Sequence, residues 1–213
     1  MTFRLGMLAS HRGSNVRAII EACRAGRLRS VPGIVISNNR TAEVLTFAQQ
    51  AGIPTAWIGG PTYEDPSVRD EAMLAVLREN NVDLLLLLGY LRLLGPLTLG
   101  AFAGRVFNIH PALLPKYGGK GMHGRHVHEA VLASGDVESG ITIHKVDAGY
   151  DEGAIVKQCR VPILAGDTPD TLAERVLAME HDFLVETLAE LEERKHDDHD
   201  SPRHPLPLEV LDD

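Results

Sequence analysis

The chain has 213 residues, 29 acidic against 21 basic side chains, and a formal net charge of −8. A chain of this length buries about 70–75% of its unfolded surface as one domain and is too short for two full domains and a linker. Apolar residues make up 44% and charged residues 23%, which excludes disorder, collagen-like repeats and low-complexity scaffolds, while the acidic balance argues against nucleic acid or an anionic membrane surface as partner.

Phe3 to Ala9 is a short apolar run and predicts the first strand; its stretch Leu5 to Ala9 is too short for the apolar region of a signal peptide. It ends in the polar loop Ser10-His11-Arg12-Gly13-Ser14-Asn15. Val16 to Arg27 then carries Val16, Ile19, Ile20 and Cys23 at helical spacing. Pro32 to Ser37 reads as a second strand, Thr41 to Ala51 as a helix, Thr55 to Ile58 as a third strand and Ser67 to Asn80 as a helix. Val82 to Leu88 is nearly all leucine, and its length and bounding turns favour a central strand buried on both faces. A shorter strand, Arg105 to Ile109, follows a Gly-rich connection. This alternation predicts an α/β fold with a doubly wound, mostly parallel sheet and helices on both faces.

After residue 110 the texture changes. A Gly/His-rich loop leads to a helix near Val127–Ala133, then come two strand-like segments, Gly140 to Val146 and Ala154 to Pro162. A long amphipathic helix runs from Pro169 to about Lys195, closing a single domain over residues 1–195. Residues 196–213 hold three prolines, six acids and one arginine, and read as a partly mobile acidic tail. Five of the eight net negative charges sit there, so the balance does not count against a small anionic substrate. The most apolar run, Leu84 to Leu94, is interrupted by Gly89 and Arg92 and falls short of the ~20 residues of a membrane span. Cys23 and Cys159 are isolated, which favours a reducing compartment without disulfide or zinc. The chain reads as cytoplasmic.

Two segments carry candidate chemistry. A strand that ends in a small polar loop and opens a helix suits an anion, because the first helical N–H groups are unsatisfied and the helix dipole favours negative charge. Gly13 would let a ligand approach the backbone, with Ser14 and Asn15 adding polar groups; an ordinary helix N-cap is the alternative. The dinucleotide pattern GxGxxG is absent, which speaks against NAD or FAD. Gly118-Gly119-Lys120-Gly121 resembles a phosphate loop only superficially, since no Ser or Thr follows the lysine.

The second segment is Phe107-Asn108-Ile109-His110-Pro111, at the end of a strand, where α/β sheets place ligands. Side chains alternate along a strand, so Asn108 and His110 share one face. An amide donor beside an imidazole suits stabilisation of an oxyanion; a polar strand end capping the next loop is the plainer reading. A carboxylate to orient the histidine is expected in the acidic turn Asp147-Ala148-Gly149-Tyr150-Asp151-Glu152, and spacing does not choose among its three acids.

The order SHRGSN, GYLRLL, NIHPALLPKYGGKG, GITIHKVDAGYDEGAIV and AGDT resembles the phosphoribosylglycinamide formyltransferase family of folate-dependent enzymes, over residues 3 to about 190. The resemblance implies formyl transfer from 10-formyltetrahydrofolate to the amine of 5'-phosphoribosylglycinamide in purine synthesis, through a tetrahedral oxyanion and without a metal. It makes Asn108 and His110 the catalytic amide and imidazole and picks Asp151 as the carboxylate that raises the His110 pKa. It assigns Gly13, Ser14 and Asn15 to the substrate phosphate and Glu180 to the ribose hydroxyls. Leu91, Arg92, Leu93 and Leu94 match the segment that reads the pterin ring, and Asp147, Ala148, Gly149, Tyr150 and Asp151 match the folate loop. Thr142 and His144 match polar positions around the carboxylate. Related methionyl-tRNA formyltransferases and formyltetrahydrofolate deformylases carry an extra domain for which 213 residues leave no room. A monomer or homodimer is expected.

Two departures stand out. The family's first loop glycine is His11 here, and a basic residue upstream of the third helix falls at Pro66, with Arg69 or Arg12 as stand-ins. The Gly118–Arg125 loop is a few residues longer than in shorter relatives and predicts a flexible lid. His123, His126 and His128, like His196, His199 and His204, lack a metal-ligand pattern, and His181 reads as structural.

Overall fold

The computed structural model describes residues 2–147, 149 and 151–200, with side chains to residue 194. Among these, seven strands form one sheet in the order β3-β2-β1-β4-β5-β6-β7. Strands β1 (Arg4–Leu8), β2 (Val31–Ser37), β3 (Thr55–Trp57), β4 (Leu84–Leu87) and β5 (Val106–His110) run parallel. β6 (Glu138–Lys145) is antiparallel to β5, and β7 (Ile155–Pro162) is antiparallel to β6. The helices are α1 (Ser14–Arg24), α2 (Glu43–Gln50), α3 (Pro66–Glu79), α4 (Pro96–Ala101), α5 (Arg125–Ser134) and α6 (Pro169–Asp200). The doubly wound α/β architecture, the C-terminal strand pair and the long final helix are all present.

The structure corrects the sequence reading in two places. The Gly-rich connection before β5 contains a helix, α4. Pro96 opens it, and its first N–H groups are satisfied from outside: Asp70 of α3 accepts from Leu97 N (2.7 Å), Thr98 N (3.0 Å) and Thr98 Oγ1 (2.6 Å). A cap supplied 28 residues away leaves no local signature. The final helix continues through Asp200 instead of stopping near Lys195, so residues 196–200, assigned above to the tail, are helical. No proline or glycine interrupts the chain between Asp170 and Asp200, so no helix breaker stands at Lys195. The remainder of the tail lies outside the described residues.

The four leucines of β4 explain the layering. Leu84 and Leu86 pack with residues of α1, α2, α5 and α6; Leu85 and Leu87 pack on the opposite face with Met73 and Leu77 of α3 and with Phe102. Burial on both faces is what a continuous apolar run in a parallel sheet requires. On the α3/α4 side, the apolar face covers β2, β1 and β4 and gives out at β5. There the row becomes polar, because Asn108 pairs with His144 and His110 with Thr142 in the β5–β6 register.

The chain after β5 covers this polar row. Thr142 Oγ1 donates to Ala112 O (2.7 Å) and accepts from Leu114 N (3.1 Å), while Gln158 Nε2 donates to Leu114 O (3.0 Å). Gly140 completes the fit, since a Cβ there would stand 2.4 Å from Leu113 Cδ2. Among the described residues, no helix is long and apolar enough to cross a membrane.

Candidate active site

The chain leaves β1 towards β2 and returns on the other side of β1 at β4. Doubly wound sheets open a ligand crevice at the carboxyl ends of the strands flanking such a switch. A cleft of about 730 Å³ lies there. It runs from the loop after β1, past the segment after β4, to the end of β5 and the acidic turn, so that Gly13, Leu91, His110 and Asp151 line one space.

At one end Gly13 has φ 67°, a left-handed conformation, and precedes the first turn of α1. A Cβ at this position would lie 2.2 Å from Val44 Cγ2, so both backbone and space demand glycine. No side chain caps α1, and Ser14 is its first helical residue, so the N-cap alternative does not describe this loop. The first-turn N–H groups of a helix have no partners within it. Ser14 and Asn15 border the cleft beside them.

Asn15 Nδ2 donates to Glu180 Oε2 at 2.8 Å, joining α1 to α6 beneath the cradle. Glu180 is 7% exposed, and burial pushes its carboxyl above the ordinary range while the Asn15 bond pulls it down. Asn15 Oδ1 is buried and accepts no hydrogen bond among the described residues. Of the two arginines expected to stand in for a basic residue at Pro66, Arg12 borders the cleft, its side chain 87% exposed and 4.0 Å from Glu43. Arg69 turns elsewhere and donates to Tyr63 O at 3.1 Å. Pro66 itself opens α3 behind an Asp65 cap.

The centre of the cleft holds the polar row. His110 is 3% exposed; its Nε2 donates to Tyr117 O at 2.8 Å and its Nδ1 faces Asp151 Oδ2 at 3.6 Å. Asn108 Nδ2 lies 3.0 Å from His144 Nε2 and 3.3 Å from Asp151 Oδ1. His144 Nδ1 donates to Lys145 O at 2.8 Å, which leaves Nε2 of the neutral ring as the acceptor for Asn108. Asp151 Oδ2 accepts from Gly119 N at 3.0 Å, tying the Gly118–Arg125 loop to the carboxylate. Asp151 has φ 56°, a conformation that aspartate tolerates better than most residues.

Burial and Asp151 act on His110 in opposite directions. Burial pushes the His110 imidazole below its ordinary value, outweighing Asp151 and the Tyr117 carbonyl, which raise it. Asp151 therefore lifts the histidine without bringing it above a free imidazole. Burial raises Asp151 itself, but the imidazoles of His144 and His110 and the Gly119 N–H outweigh that and hold it below the usual carboxylate range.

Leu91, Arg92, Leu93 and Leu94 form the opposite lip, with Leu91 and Leu93 exposed and Leu94 buried. The Leu91 N–H is already committed, donating to Ser10 Oγ at 2.9 Å. Asp147 and Gly149 line the cleft, and Asp147 Oδ1 accepts from Gly149 N at 3.1 Å. Ala148 and Tyr150 lie outside the described residues. Thr142 touches the segment after β5 and not the carboxylate, so of the two polar positions flanking Asp151 only His144 reaches it.

Two partners escaped the sequence reading: the carbonyl of Tyr117 and the N–H of Gly119. Both are backbone groups, which carry no sequence signature. Of the other histidines, His123 borders the cleft and His126 is exposed beside Glu129. His128 is buried, with burial and then His110 pushing its pKa down. Among the described residues, no three His, Cys, Asp or Glu side chains gather in an arrangement able to hold a metal ion. The side chains of His196, His199 and His204 lie outside the described residues.

Residues 3–188 match the model of a family described as formyl transferase. The chain is 36% identical over 175 residues to a phosphoribosylglycinamide formyltransferase of Escherichia coli, covering 82% of this chain and 80% of the relative. It is 41% identical over 192 residues to the chloroplastic phosphoribosylglycinamide formyltransferase of Vigna unguiculata, covering 90% of this chain but only 62% of that longer protein. The crystal structure of glycinamide ribonucleotide transformylase 1 from Symbiobacterium toebii superimposes with a TM-score of 0.85 at 37% identity, over 91% of this chain and 89% of its own.

Proposed function

The chain belongs to the formyl transferase family, and on that footing we propose that it transfers the formyl group of 10-formyltetrahydrofolate to the amine of 5'-phosphoribosylglycinamide, a step of purine synthesis. The observation that carries this reading is the joining of two ends by one cleft. The anion cradle at Gly13, Ser14 and Asn15 opens into the same space as Asn108, His110 and Asp151. A binding module would need the cradle alone.

The residues divide the work as follows. The first-turn N–H groups of α1 hold the phosphate, with Arg12 supplying charge at the rim. Glu180 and the free Asn15 Oδ1 accept from ribose hydroxyls. The apolar lip formed by Leu91, Arg92, Leu93 and Leu94 suits a flat ring. With the Leu91 N–H taken by Ser10, the backbone donors facing that ring come from the other three residues, while the Leu91 carbonyl stays an acceptor. Asp147, Gly149 and Asp151 close the folate side. When bound, the folate supplies the activated formyl group.

At neutral pH buried His110 is uncharged, with its proton on Nε2 and a lone pair on Nδ1. Nδ1 accepts the proton released as the amine bonds to the formyl carbon. The resulting imidazolium lies beside Asp151 and donates to the oxygen on which negative charge builds. The proton then passes to the departing nitrogen. Both Nδ2 hydrogens of Asn108 have partners at rest, so Asn108 serves the oxyanion by releasing its longer bond, the one to Asp151.

The test mixes the protein with 10-formyltetrahydrofolate and 5'-phosphoribosylglycinamide and follows the folate absorbance. Turnover is expected. Absence of turnover together with activity on an amino-sugar nucleotide would replace the acceptor, and folate binding without turnover on any amine would reduce the protein to a binding module.

A further inference from the structure

The cleft leaves unexplained the part of the NIHPALLPKY segment that lies outside it, Lys116 and Tyr117. Neither borders the cleft. Tyr117 nevertheless has φ 59°, a left-handed conformation that is uncommon for a bulky side chain. Its hydroxyl donates to Asp136 Oδ2 at 2.6 Å and stands 2.6 Å from Ser134 Oγ. Lys116 Nζ pairs with the same carboxylate at 2.9 Å, so two adjacent residues are fastened to Asp136 in the turn between α5 and β6. What this fastening fixes on the inner side is the Tyr117 carbonyl, which points at His110 Nε2 from 2.8 Å.

A carbonyl oxygen only accepts, so His110 Nε2 carries a hydrogen whether the ring is neutral or charged. The nitrogen left to gain and lose a proton is Nδ1, which faces Asp151 and the cleft. Were the Tyr117 carbonyl to swing away, the Nδ1–H form would be favoured by the Asp151 carboxylate, and the lone pair would point away from the reacting atoms. We infer that Tyr117, clamped from outside the cleft by Asp136, is a positioning residue that selects the Nε2–H tautomer of His110 and so makes Nδ1 the working nitrogen. The inference rests on the catalytic reading of His110 given above, but the tautomer is measurable without any turnover.

The experiment is ¹⁵N NMR of histidine-labelled full-length protein above pH 7, with the His110 signals identified by their loss in His110→Gln. The wild-type protein is expected to show Nε2–H and an unprotonated Nδ1. Tyr117→Phe and Asp136→Asn are expected to give mixed tautomers and to lower kcat about 10–100-fold while leaving KM within about twofold. Asp136→Glu, which keeps the carboxylate, is expected to recover part of kcat. An Nδ1–H or mixed tautomer in the wild type would overturn the inference, as would both variants retaining the wild-type tautomer. If the wild type shows the expected tautomer but transfers no formyl group, the proposed function fails and the tautomer assignment stands.

Discussion

Asn15 on α1 and Glu180 on α6 meet at 2.8 Å beneath the cradle, although 165 residues separate them in the chain. The bond ties the loop proposed to hold phosphate to the acid proposed to hold ribose. Burial raises the Glu180 carboxyl, so the folded state favours its protonated form. A raised folded pKa gives stability that is complete below the unfolded value, about 4.3, and lost as pH rises through the folded one.

Glu180→Gln keeps an acceptor for Asn15 and removes that loss. The variant is therefore expected to melt higher than the wild type at pH 7–8, each kcal/mol being worth about 2–4 °C for a chain of this size. The two are expected to converge near pH 4, while KM for the phosphoribosyl substrate rises. Thermal melts across this pH range check it, and a constant offset in Tm would show that Glu180 ionisation is not the source.

His110→Ala is expected to lower kcat by ~10²–10³-fold, the typical effect of losing one oxyanion donor, with substrate affinity nearly kept. Asp151→Asn preserves volume and suits the left-handed backbone at φ 56°, so its effect reports charge and not folding. Steady-state kinetics with binding titrations separate kcat from affinity. Near-wild-type turnover in Asp151→Asn would remove the carboxylate from the mechanism.

His110 and His128 are both buried with pKa values pushed below the ordinary imidazole, first of all by burial. The unfolded chain takes up protons near pH 6.5. The stability these histidines contribute is thus present above that value and lost as pH falls through their folded pKa values. Urea denaturation between pH 8 and 5 is expected to show a declining midpoint below about pH 6.5. His128→Leu is expected to flatten the decline. An unchanged slope would assign the acid lability to other groups.

Gly13→Ala is expected to cost on the order of 1–3 kcal/mol, because an alanine Cβ meets Val44 and sits in a strained left-handed conformation. Displacement of the loop is expected to raise KM for the phosphorylated substrate more than for the folate. Melting curves and paired KM measurements check this. A change confined to the folate KM would place the phosphate elsewhere.

The sequence by itself determined the layers, because hydrophobic period is a local property. The leucines of β4 announced a strand buried on both faces, and the alternation at Asn108 and His110 put an amide and an imidazole on one side. Motif resemblance singled out Asp151 among three acids that spacing left equal. What only the tertiary structure decided was which groups meet across the chain. The Asp70 cap on α4, the Asn15–Glu180 bond and the Tyr117 carbonyl on His110 join residues whose partners are distant in sequence or are backbone atoms. Burial was likewise invisible, and at His110 it outweighs the raising effect of Asp151. Five of the eight net negative charges lie in residues 196–213, while the cradle proposed at Gly13 would work through local backbone N–H groups that net charge does not register.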